Sequence, residues 1–126
     1  MGKKIIADLH SHTLASDGEW SPEQVVNAAA DAGLEALAVT DHDGIGSVNA
    51  ASSIGKTRGI EIIPGSELTV YEGSTELHVL ALFIDPSSPA FAALLEKMQQ
   101  HRRQRAMAMA VKLSAAGFAL TESDIL

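Results

Sequence analysis

The chain has 126 residues, room for one domain with a single modest core, and its 46% apolar content is ordinary for a folded protein. Sixteen acidic residues against nine basic ones leave a net charge of −7, which works against a broad surface for a nucleic-acid backbone. With no cysteine, a disulfide scaffold and a thiolate zinc site are both excluded. The opening MGKKIIADLH is too short in apolar residues for a secretory leader, and no segment approaches membrane-spanning length. A cytoplasmic protein with no membrane partner is expected.

In chain order, residues 4–9 (KIIADL) read as a short buried strand. SPEQVVNAAADAG follows as a helix, with Ser21 as N-cap, Pro22 in the first helical position, Gln24 completing a capping box and Gly33 ending it. Residues 34–40 (LEALAVT) form an apolar run of strand length. A weaker helix is predicted within 45–57, ending before Gly59, and GIEIIPG supplies a third strand stopped by Pro64. LTVYEGSTELHVLALFID then reads as two strands joined by a hairpin turn at Gly73 and Ser74. Residues 88–116 make one long helix with apolar Phe91, Leu94, Leu95, Met98, Met109 and Leu113, capped by Gly117. Alternating strands and helices, the early strands apolar on both faces, predict an α/β fold built on a mostly parallel sheet or barrel. The last signal, TESD at 121–124, starts a helix that has only two residues left, the pattern of a chain continuing further.

Chemistry concentrates in a few places. DLHSHTLASDG puts Asp8, His10 and His12 at alternate positions, which point one way if the strand persists, with Asp17 five residues later. LAVTDHD sets His42 between Asp41 and Asp43 where the second apolar strand ends. PGSELTV puts Glu67 just after the third strand, and ELHVLALF puts His78 within an apolar strand. Ligand sites in parallel α/β folds lie beyond the carboxyl ends of strands, where the first three clusters fall. Each residue also has a plainer role open to it: Asp43 as a helix N-cap, Glu67 as a solvated loop carboxylate, His78 as a core histidine. Nitrogen and oxygen donors without sulfur suit zinc, manganese or iron. HRRQR at 101–105 puts Arg102 and Arg105 on one helical face, where they either bind a phosphate or form a solvated surface.

DLHSHTLASDG, TDHD, PGSELTV and ELHVLALF together resemble, in order and spacing, the first motifs of the PHP (polymerase and histidinol phosphatase) family, above all its stand-alone phosphoesterases. The resemblance covers nearly the whole chain. It implies the N-terminal part of a distorted (β/α)7 barrel over residues 1–126, with two to three divalent ions at the carboxyl ends of the strands. By motif, His10 and His12 bind one ion, Glu67 bridges it to a second that His78 helps to hold, and Asp17 and His42 bind a third. Asp8, Asp41 and Asp43 fall at positions that support or cap. Gly44 stands where many relatives have threonine, and the family's later AHP-like and DxH motifs are not in these residues, so each site is expected to be incomplete.

The activity implied is hydrolysis of phosphate esters by metal-activated water, with no catalytic group apart from the metal ligands. The expected substrate is a phosphorylated small molecule, foremost a nucleotide: a nucleoside 3′,5′-bisphosphate or the 5′ end of a short RNA. A histidinol-phosphatase-like enzyme and a non-catalytic metal-binding or interaction module are the alternatives. Alone, the 126 residues are expected to be weakly active or inactive. An incomplete barrel also exposes sheet edges, and with Met107, Met109, Val111 and Leu113 these predict association into a homo-oligomer.

Overall fold

The computed structural model describes residues 6–120 and Asp124. Seven elements run in order: β1 (Ala7–Asp8), α1 (Pro22–Asp31), β2 (Ala36–Val39), α2 (Val48–Arg58), β3 (Glu61–Glu72), β4 (Thr75–Leu82) and α3 (Pro89–Ala115). The strands form one sheet in the order β1-β2-β3-β4, the first three parallel and β4 antiparallel to β3.

Local chemistry accounts for the helix ends. The Ser21 side chain accepts from the Gln24 N–H while the Gln24 side chain accepts from the Ser21 N–H, so the capping box closes as its sequence predicts. Ser88 caps α3 through the Phe91 N–H. Gly59, at φ 70°, ends α2 in the left-handed conformation that suits glycine. The Gly73–Ser74 turn joins β3 to β4, with Glu72 opposite Thr75.

β2 is buried along its whole length, and its two faces feed two cores. Leu37 and Val39 pack with Val26 and Ala29 of α1, Ala51 of α2 and Ile60. Ala36 and Ala38 meet Ile63 on the opposite face, with Leu82 against them. Complete burial of a Val or Leu side chain contributes about 1.5–3 kcal/mol, so Val26, Leu37 and Val39 anchor the parallel half of the sheet.

Three expectations are revised. β1 is two residues long, so the alternation of a strand does not carry on to His10 and His12; residues 4 and 5 of the expected strand lie outside the described residues. Pro64 does not stop the third strand. It forms the last parallel pair with Val39, its carbonyl accepts from the Ile84 N–H (3.2 Å), and Gly65 then begins the antiparallel ladder opposite Leu82. Glu67 consequently lies inside β3 and not in a loop after it. Finally, Ser47, not Asp43, occupies the N-cap of α2. Of the helix start expected at 121–124, residues 121–123 lie outside the described residues.

A candidate metal centre at the carboxyl ends of the strands

The segment after β1 folds back along the end of β2. Ser11 donates through its hydroxyl to the Ala38 carbonyl (2.6 Å), and the Thr40 N–H donates to the Ser11 carbonyl (2.9 Å). Asp8 accepts from the His10 N–H (3.1 Å), turning the chain as the strand ends. Asp41 is the hub beneath this loop. Its buried carboxylate accepts from the Thr13 N–H (2.7 Å) and hydroxyl, from the Ser16 hydroxyl (2.7 Å) and from Ser47. Those donors satisfy a charge that burial would otherwise penalise.

The next strand is locked in the same way. The Asp43 N–H donates to the Glu67 carbonyl (2.9 Å) and the Glu67 N–H to the Asp41 carbonyl (3.2 Å), so His42 and Glu67 sit side by side in a parallel bridge. Asp43, fully buried at φ 46°, accepts from the Thr69 N–H (2.8 Å) and from Arg102 (3.1 Å).

Glu67, 7% exposed at its side chain, is the centre of the cluster. One carboxylate oxygen lies 2.8 Å from His10 Nε2 and 2.9 Å from His12 Nε2, and those two nitrogens are 3.0 Å apart. The other oxygen lies 2.9 Å from His78 Nδ1. On the far side of His12, Nδ1 is 2.9 Å from Asp17, and His42 Nε2 is 3.5 Å from the same carboxylate. Three overlapping groups result: His10, His12 and Glu67; His12, Asp17 and His42; His42, Glu67 and His78. All six residues singled out in the sequence come together, although His10 and His12 arrive from a loop and His78 from an exposed part of β4.

Electrostatics keep the acids ionised. Burial pushes the Glu67 carboxyl up, but the His10 hydrogen bond and the charges of His42, His10 and His12 outweigh it and hold it below the usual range. Burial likewise raises Asp17, and His12 and His42 overcome it. His78 is raised, first by its hydrogen bond with Glu76. Two imidazoles and a carboxylate oxygen all within 3.0 Å present more lone pairs than protons to share. His42 Nδ1 is buried with no hydrogen-bond partner among the described residues. A donor set of this kind, rich in nitrogen and oxygen and lacking sulfur, fits a divalent cation.

Arg102 and Arg105 lie on one face of α3, and both guanidinium groups are engaged within the protein. Arg102 reaches Asp43 and the Thr69 hydroxyl (3.2 Å), and Arg105 reaches the Tyr71 hydroxyl (2.6 Å) and Glu76. Sequence reasoning passed over Thr13, Ser16 and Ser47, whose hydroxyls hold Asp41; no spacing rule distinguishes them from ordinary loop residues. It also passed over Arg103, which lines a groove shared with Asp17 and His42.

The model of the PHP domain matches residues 8–110. The chain belongs to the PHP family. This PHP chain is 40% identical over 112 residues to a 3′,5′-nucleoside bisphosphate phosphatase of Chromobacterium violaceum, a match covering 89% of the chain and 39% of that protein. It is 37% identical over 110 residues to a 5′-3′ exoribonuclease of Haemophilus influenzae, covering 87% and 40%. Among solved structures, a Chromobacterium violaceum amidohydrolase with bound sulfate and no metal aligns with a TM-score of 0.83 at 39% identity, over 90% of this chain and 40% of the other. A Bifidobacterium adolescentis protein named as a metal-dependent phosphoesterase aligns with a TM-score of 0.82 at 27% identity, over 97% and 42%. The PHP chain thus spans about two fifths of the length of the curated relatives it matches. Its curled four-stranded sheet is the half-barrel of a PHP-type fold, as the motifs imply.

Proposed function

We propose that this chain supplies the donor cluster of a metal-dependent phosphoesterase, and that its substrates are nucleotides, nucleoside 3′,5′-bisphosphates before RNA 5′ ends. The observation that carries the reading is the convergence of four histidines on the carboxylates of Glu67 and Asp17 at one end of the sheet. The names of the relatives support the substrate class.

His10 and His12 with Glu67 would hold one ion, Glu67 and His78 a second, and Asp17 and His42 a third; manganese, zinc and iron all match these donors. Divalent ions bound there would supply Lewis acidity toward a phosphoryl oxygen and toward an attacking water near neutral pH. The chain's own contribution is to orient. Asp41 fixes the loop that carries His12 and Asp17, the His42–Glu67 bridge sets two donors side by side, and Glu67 stays ionised between them. No side-chain nucleophile is required. The chain spans about two fifths of the length of the relatives it matches, and on this reading the 126 residues alone are expected to be a weak enzyme. The activity is assigned to the cytoplasm, where nucleotide substrates reside.

The test is His12→Ala and Glu67→Ala in the natural protein carrying this sequence, with metal content read by elemental analysis and phosphate release read on adenosine 3′,5′-bisphosphate. Losing even a group that supports a metal ligand costs about 10- to 100-fold, so removing a ligand is expected to exceed about 100-fold in turnover and to lower bound metal. Undiminished turnover in both variants, with metal controlled, would overturn the assignment.

A further inference from the structure

Beside the donor cluster, between the Asp17 loop and α3, lies an open groove of about 430 Å³ lined by Ala15, Ser16, Asp17, His42, Gln99, Arg102 and Arg103. Its size is that of a site for a small organic molecule, about 300–1,000 Å³. Asp17 and His42 belong both to this groove and to the metal-donor groups, so a substrate with one phosphate at the donors extends its remaining atoms into it.

The groove's other wall is cationic. Gln99 and Arg103 stand four residues apart on α3 and therefore share a face, about one helical turn apart. Gln99 is fixed by its amide, which donates to the Asp43 carbonyl (2.9 Å). Arg102 is spent on Asp43 and Thr69. Arg103 is exposed and makes no hydrogen bond or ion pair among the described residues, in a chain whose net charge is −7. Ala15 is the only apolar residue of the lining, and apart from His42 at the donor end no ring is present on which a base could stack. The groove is therefore suited to an anion and not to a nucleobase.

We infer that Arg103 binds the second phosphate of a bisphosphorylated nucleoside, the one that is not hydrolysed, and so sets the preference for bisphosphates over monophosphates. This rests on the phosphoesterase reading above and adds the residue that selects among its substrates. The guanidinium fork suits bidentate contact with phosphate oxygens, and Arg103 has its full donor set to offer. Asp17 in the same groove repels phosphate unless its charge is taken up by a cation, so binding there is coupled to the loaded donor cluster.

The experiment measures kcat/KM of the metal-loaded natural protein for adenosine 3′,5′-bisphosphate and for adenosine 3′-monophosphate and 5′-monophosphate, in the wild type, Arg103→Ala and Arg103→Lys. The wild type is expected to favour the bisphosphate, and Arg103→Ala to reduce the bisphosphate-to-monophosphate ratio roughly 10-fold, the loss typical of one charge-assisted contact, chiefly through KM. Arg103→Lys, which keeps the charge but not the fork, should fall between. A ratio unchanged in Arg103→Ala, or a wild type without preference, overturns the inference while leaving the phosphoesterase reading intact. A wild type that hydrolyses none of the three overturns that reading and this inference together.

Discussion

Gly18 shows how closely single residues constrain the centre. Asp17-Gly18 reads in sequence as an ordinary turn pair. The structure requires glycine there for another reason: a Cβ would lie 2.6 Å from both the carbonyl carbon and the carbonyl oxygen of His12. Those are backbone atoms of a donor residue, so the clash cannot be relieved by rotating a side chain. Gly18→Ala is expected to displace His12 and Asp17 together and to weaken metal binding about 10-fold or more, the cost of misplacing a ligand's support. Metal affinity by calorimetry checks this, and an affinity equal to the wild type would show that the loop absorbs the methyl. Asp41 works in the same register. The motif places it as a supporting residue, and its carboxylate holds the loop through Thr13, Ser16 and Ser47 while its carbonyl accepts from the Glu67 N–H. Spacing identifies the donors because each motif is local; it does not identify the hydroxyls that hold Asp41, because those contacts span up to 28 residues.

Among the elements, α1 and the β3–β4 hairpin could be read from caps and turn residues alone, since both depend on contacts a few residues apart. β3 could not. Proline and glycine at 64 and 65 look like a break, yet the missing N–H of Pro64 falls where β3 changes partner from β2 to β4. Only the identity of both partners reveals that, and it moves Glu67 from a loop to a fixed strand position. α3 meets the sheet through polar contacts and buries Leu95, while Met107, Met109, Val111 and Leu113 are exposed. Its outer anchor is a group built on Glu76, which accepts from the Tyr71 hydroxyl (2.6 Å), pairs with His78 (3.1 Å) and pairs with Arg105. The Tyr71 bond above all, then His78 and Arg105, lower the Glu76 carboxyl to about 2. Its folded value lies below its ordinary 4.5, so the stability it adds is present above pH 4.5 and is lost as pH falls through about 2. Tyr71 is raised in turn, chiefly because its proton is held by Glu76. It is the chain's only tyrosine, so ultraviolet titration reads it alone. The midpoint is expected above the ordinary value of about 10, returning toward it in Glu76→Gln. An ordinary midpoint in the wild type would mean that α3 is not anchored to β4 in this way.

Across the described residues, the centre draws together segments that are far apart in the sequence. His10, His12 and Asp17 come from the loop after β1, His42 from just past β2, Glu67 from β3 and His78 from β4, so the three donor groups together draw on every strand of the sheet. Elsewhere among the described residues the sheet rests on the core around Leu37 and Val39. The four motifs announced this assembly because they follow the order of the strands, whereas the fit between neighbouring donors depends on long-range register and could not be read from spacing. In the absence of cation, two acids and four imidazoles share this small region. Any ion that binds the folded chain and not the unfolded one therefore stabilises it by mass action, about 2.7 kcal/mol at a hundredfold excess over Kd. For a domain of this size that corresponds to a rise in Tm of about 10 °C. Thermal melts of the purified chain with chelator and with manganese or zinc measure it. Glu67→Gln keeps the shape but removes the shared charge, and should abolish most of the rise while Arg103→Ala leaves it in place. A wild-type Tm indifferent to metal, or an equal rise in Glu67→Gln, would mean that these donors do not bind a cation as a unit.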